Sequence, residues 1–189
     1  ASEGQVSVKD ATPTNASYYA AARFLEQASW GPSPSSVAEL QRLGYDAWID
    51  QQLLKPATLL KAPTYVVDYE DQNRAASDLA HGWSRLRFMD NALGGQDQLR
   101  QRMSWALYGF IVANGNAYGT VEYMNTLQKH SLGSFKDALR AVTLSPVMGS
   151  FLNNDQNQAD RPNENYAREL MQLFSVGLVR LNMDGSIQR

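Results

Sequence analysis

The chain has 189 residues, 43% of them hydrophobic and 19% charged, so it is long and apolar enough to bury a core and is not a disordered polymer. A net charge of −2 gives no general case for nucleic acid or an anionic membrane. Cysteine is absent, which excludes disulfides, thiolate metal sites and thiol nucleophiles, and no run of 18 apolar residues offers a membrane span.

Residues 1–16, beginning "ASEGQVSVKDATPTNAS", are small and polar and read as a flexible arm. They suit the new end left by removal of a signal peptide, and equally a start trimmed for another reason. The helical domain then occupies 17–189. "SYYAAARFLEQASW" places Tyr18, Ala21, Phe24, Leu25 and Ala28 at helical spacing, and "GPSP" ends it. Two short helices follow, with Ser35 or Ser36 as N-cap and Gly44 as a left-handed C-cap between them. Tyr45, Trp48, Ile49 and Leu53 form the second stripe.

"KPATLLKAPTYVVDYEDQ" has two prolines and no period, so it reads as a surface excursion, and its "TYVV" is the one strand candidate. A helix is expected over 73–93, with Leu79, Trp83, Leu86 and Met89 or Asp90 marking its faces. Gly94-Gly95 breaks it. In the next helix Leu99, Met103, Ala106, Leu107, Phe110 and Ile111 are expected to face inward. Gly115 and Gly119 bracket a turn. Helices are then predicted over 121–130, 134–144 (N-cap Ser134) and 146–152 (Pro146 in the first turn), and a last one from Pro162 or Asn163 to about Leu181. The fold class is all-α, an irregular multi-helix bundle with long loops.

Four segments together resemble the bacterial domain of unknown function 1800 family: "AARFLEQASWGPSPSSVAELQRLGYDAWIDQQL", "LRQRMSWAL", "HSLGSFKDALRAVTLSPVMGSFLNN" and "RPNENYARELMQLFSVGL". They come in the family's order over roughly residues 20–185, and "PNENYAREL" is the most specific of them. The resemblance implies an exported, largely helical protein of extracellular or periplasmic location, with no reaction attached. It also implies a longer chain, of which 17–189 is the N-terminal part. A partner is then the C-terminal part of the same protein or another exported protein. Many relatives carry a histidine where Phe174 stands, so no imidazole role carries over to that position.

The densest polar chemistry lies between Asn153 and Glu169. Glu164 and Arg168 are four apart and share a helix face, and an acidic first turn suits the helix dipole. Arg161, Asn163, Glu164, Asn165, Tyr166, Arg168 and Glu169 are therefore read as a buried polar hub that pins the last helix, with a structural or interaction role. Glu169→Ala is expected to cost several kcal/mol in that reading, as loss of one partner of a buried pair does. The alternative is a metal-dependent binding protein or hydrolase. Asn153, Asp155, Asn157 and Glu164 occupy positions 1, 3, 5 and 12 of a calcium-type loop, although Gln158 replaces its glycine and Arg161 holds position 9. No cofactor is firmly implied beyond that divalent cation. Glu164 and Glu169, with Asp155, are the candidates for acid–base work, but a spacing of five sets the two glutamates on different faces.

His81 and His130 have no metal-ligand neighbour at helical spacing, and His130 suits a helix C-terminus. The sequence has no HExxH, G-x-S-x-G or P-loop motif. Most aromatic residues fall on apolar stripes and read as core, while exposed ones would suit stacking on sugar rings. Arg85, Arg87, Arg100 and Arg102 read as a solvated, ion-paired face.

Overall fold

A computed structural model describes residues 16–61, 74–114 and 117–188, with the backbone alone for 74–81, 83 and 117–118. Most of the 1–16 arm and the "TYVV" strand candidate lie outside the described residues, as do the side chains of Leu79, His81, Trp83 and Tyr118. Among the described residues the chain is all-α. Its helices are α1 (Tyr18–Ala28), α2 (Pro34–Leu43), α3 (Tyr45–Leu54), α4 (Arg74–Gly94), α5 (Gln98–Phe110), α6 (Ala117–His130), α7 (Phe135–Thr143), α8 (Pro146–Phe151) and α9 (Asn165–Gln172).

The helix ends follow from local chemistry. Ser33, rather than Ser35 or Ser36, caps α2; its hydroxyl accepts the Ser36 N–H and Ser36 returns the bond to the Ser33 N–H, with Pro34 in the first turn. Gly44 has φ +86° but ψ 164°, so it joins α2 to α3 through an extended left-side conformation open to glycine, not through the left-handed helical cap expected. Ser134 caps α7 and Pro146 opens α8, both as expected. Lys129 and His130 lie in the last turn of α6, where positive charge suits the dipole.

Three apolar cores result. Ala21, Leu25, Val37, Leu40, Leu43 and Trp48 join α1, α2 and α3. Leu60, Phe88, Ala92 and Val121 form a second cluster, against which Trp30 and Met124 pack. Leu107, Ile111, Tyr123, Leu127, Val142, Met148, Tyr166 and Phe174 form the third, gathering α5–α9. Helix α5 connects the first and third clusters, since it packs on α1, α3, α4 and α6.

Two expectations about α5 and the segment before α4 are corrected. The inward face of α5 carries Gln101, Ser104 and Leu107, whereas Met103, Ala106 and Phe110 are exposed. On α4, the face markers Leu86, Met89 and Asp90 lie on the exposed side, and among its described side chains Phe88 and Ala92 are the buried apolar ones. The first part of the supposed surface excursion turns inward at one residue: Leu60 is buried, while Pro56 and Lys61 on either side are exposed and residues 57–59 are half-buried.

Helix α9 is also shorter than the period suggests. The Glu169 carbonyl accepts both Leu173 and Phe174 N–H, and the Met171 carbonyl accepts Val176 and Gly177 N–H, with Gly177 at φ +80°. These longer-reaching bonds widen the last turn, and the positive-φ glycine then closes it. The chain then forms a small hairpin closed by an isolated bridge between Leu181 and Ile187, with Gly185 at φ +83° in its turn.

Candidate functional site

A non-helical segment between helices must find partners for its peptide groups, because buried N–H and C=O groups left alone are costly. Residues 58–60 find them in side chains. Asn125 of α6 grips Leu60 like a neighbouring strand, its Oδ1 accepting the Leu60 N–H at 2.8 Å and its Nδ2 donating to the Leu60 carbonyl at 2.9 Å. Asn91 of α4 and Gln101 of α5 both donate to the Thr58 carbonyl, at 2.8 and 3.2 Å. The Thr58 N–H donates to Oδ2 of Asp97 at 2.9 Å.

Asp97 is the centre of this arrangement. Its side chain is wholly buried, and Gln101 Nε2 donates to both of its oxygens at 3.3 Å. The Arg100 Nε stands 3.8 Å from Oδ2, an ion-pair distance rather than a hydrogen bond. The Arg100 guanidinium is oriented by the Gln128 and Lys55 carbonyls at 3.3 and 3.4 Å. Gln128 completes the set by donating to Gln101 Oε1 at 2.9 Å. One helical turn away, Gln52 of α3 donates to the Gln96 carbonyl and accepts the Leu99 N–H, which ties the first core to the start of α5.

Gly95 is required by the same geometry. A Cβ there would meet the Asn91 carbonyl oxygen at 2.5 Å and Asp97 Oδ1 at 3.1 Å. The sequence reading missed this network, taking Gly94-Gly95 for a plain break. Its signal was Asp97, Gln101, Ser104 and Leu107 repeating at helical spacing, a stripe that apolar periodicity passes over.

The Asn153–Glu169 segment has a different character, and its expected burial is corrected. Glu164 and Arg168 do pair, at 3.4 Å, but their side chains are 79% and 51% exposed. Glu169, 17% exposed, also pairs with Arg168, at 3.4 Å, and Asn165 Oδ1 accepts from Arg168 at 2.8 Å. Asn163 Oδ1 accepts the Asn165 N–H at 2.9 Å and so caps the entry to α9. Arg161 is exposed, and its N–H closes a turn onto the Gln158 carbonyl. Only Tyr166 reaches the core: it is buried, and its hydroxyl meets that of Thr143 at 2.6 Å.

The loop before α9 is bonded to itself. Asn157 Oδ1 accepts the Asn163 N–H and its Nδ2 donates to Asn154 Oδ1, while Asn153 adopts a left-handed φ of +57°. The oxygens that a calcium-type loop needs at positions 5 and 12 are thus engaged by Asn163 and Arg168. Among the described residues no group of three or more His, Asp or Glu side chains is placed to hold a metal ion. The residues present do not fit a calcium loop.

Beyond Tyr166 the surface becomes apolar. Leu173, Val176, Leu178, Leu181, Met183 and Ile187 are all exposed, although Phe174 between them is buried in the third core. In the hairpin turn, the Ser186 N–H and O–H both donate to Asp184 and hold its carboxyl below the usual carboxylate range.

Fold and site together define an all-α domain held by a buried amide–carboxylate network and carrying an apolar arm after a polar helix. The chain belongs to the family described as "Protein of unknown function (DUF1800)", which matches residues 23–185, as the four motifs implied. No curated protein and no solved structure matches the chain. Among the described residues no helix is long and apolar enough to cross a membrane.

Proposed function

We propose that this domain is an interaction module of an exported protein, acting in the periplasm or outside the cell, and that residues 171–188 are its docking arm. One observation carries the reading: seven large apolar side chains from Leu173 to Ile187 stand in solvent on one short stretch. Contiguous apolar surface of this kind marks an interaction site on a soluble protein. The exposed Glu164–Arg168 pair and the amides of the preceding loop lie directly before it in sequence, and are the polar groups such an interface would draw on for its rim. The partner is further polypeptide, either a downstream segment of the same protein or another exported protein. The export assignment rests on the family resemblance.

The test is site-specific photocross-linking in the source cell, with the probe at Leu178 or Met183 and a control probe at exposed Glu26. Adducts that map to one defined polypeptide segment from the arm, and not from Glu26, support the reading. Equal, scattered adducts from all three positions overturn it.

A further inference from the structure

Between α4, α5, α6 and the loop before α6 lies a cleft of about 450 Å³, within the range of small-molecule sites. Its walls include Arg85, Phe88, Met89, Trp105, Tyr108 and Asn114. Trp105 is its main apolar surface. Its ring lies 5.0 Å from Phe88 and 6.1 Å from Tyr108, tilted about 30° to each, and Trp30 braces it edge-on at 5.8 Å. The indole is thus fixed by three other rings, yet it remains 43% exposed, with Met89 50% exposed beside it. A rigid, half-open aromatic surface of this sort takes the flat apolar face of a ring at little entropic cost.

The polar groups around it narrow the ligand. Arg85 is exposed and forms no ion pair among the described residues. A free guanidinium fork matches a carboxylate. Asn114 adds an amide that both donates and accepts, which suits the adjacent hydroxyls of a sugar. We propose that this cleft binds an acidic sugar, a pyranose carrying a carboxylate, with its ring against Trp105, its carboxylate on Arg85 and its hydroxyls on Asn114. This site is separate from the apolar arm and does not depend on it.

Calorimetric titration of the purified chain with glucuronate, glucose and benzoate tests the assignment. Glucuronate should bind saturably, and glucose about threefold to fivefold more weakly, because it lacks the carboxylate that pairs with the exposed Arg85. Arg85→Gln should lower glucuronate binding to the glucose level, and Trp105→Ala should abolish it. The thermal melt of Arg85→Gln should be unchanged, since Arg85 is exposed. Absence of saturable heat with glucuronate overturns the proposal, as does an Arg85→Gln variant that binds like the parent. Benzoate binding as tightly as glucuronate also overturns it, because the hydroxyls would then go unread.

Discussion

Removing the Asp97 carboxylate should be among the most damaging single changes in this domain. Asp97→Ala leaves the Thr58 N–H without its acceptor and the Gln101 amide with the Thr58 carbonyl alone, in a place where the carboxylate itself had no exposure. Each buried donor stranded in this way costs about 1–3 kcal/mol. Arg100 also loses its counter-charge, although at 3.8 Å it was not hydrogen-bonded and it keeps two carbonyl acceptors. The three losses share one carboxylate and so do not add in full; breaking a buried pair from one side typically costs about 3–5 kcal/mol. In a domain of this size that corresponds to a fall in melting temperature of roughly 6–20 °C. Asp97→Asn keeps one acceptor oxygen and should lose about half as much. Urea denaturation with a parallel thermal melt measures both, and a double-mutant cycle with Gln101 should show coupling of about 0.5–3 kcal/mol. An Asp97→Ala variant within about 0.5 kcal/mol of the parent, the range of a surface change, would refute the reasoning.

Four further outcomes follow from the same geometry. Asn125→Leu removes both bonds to Leu60 and should destabilise by about 2–4 kcal/mol in urea denaturation, with loss of amide-exchange protection at Leu60. Gly95→Ala forces a methyl against the Asn91 carbonyl and should cost about 1–3 kcal/mol, whereas Gly94→Ala meets open space and should not. Glu169→Ala, expected from sequence to be severe, should cost only about 1 kcal/mol or less, because its partner Arg168 is half exposed. Burial first, and then the Tyr108 and Tyr166 hydroxyls, push the Tyr123 hydroxyl above its ordinary value of 10.0. The unfolded chain then gives up this proton before the folded one, so Tyr123's contribution is complete below pH about 10 and falls as pH rises further. Tyr123→Phe should flatten that alkaline loss in a pH series of urea midpoints, while lowering stability at neutral pH through loss of the bond to the Ile111 carbonyl.

The parts of the fold that were legible in the sequence are those that apolar spacing and local capping decide. Helix α1, the break at Gly94-Gly95, and the starts of α7 and α8 were read correctly because Ser134, Pro146 and the glycines act within a few residues of themselves. The α5 face was misread because a fully buried Asp97 and Gln101 are stable only through partners 27 to 43 residues away, which no local period reveals. The inward turn at Leu60 was not legible for the same reason: the peptide groups of Thr58 and Leu60 are satisfied by side chains far away in sequence, Asp97, Asn91 and Asn125. At α9 the composition was legible and the depth was not. Tyr166 and Phe174 are eight residues apart and both point to the core, but the charges between them have only loop and solvent to face.

This division between the two polar clusters bears directly on the proposed role. The Asp97 network spends its donors and acceptors on the protein's own backbone, so substitutions there act through stability. The Glu164–Arg168 pair contributes little to stability, because exposed pairs are worth about 0–1 kcal/mol. A helix with an exposed charged face, anchored by Tyr166 and followed by an apolar arm, is therefore free to change its partners without unfolding the domain. Leu178→Asp together with Leu181→Asp should leave the thermal melt within about 0.5 kcal/mol of the parent, since both side chains are already in solvent. The same double variant should lose the cross-links formed from Met183. If the melt falls by several kcal/mol, the arm is part of the domain's own core and its role as a docking surface is refuted.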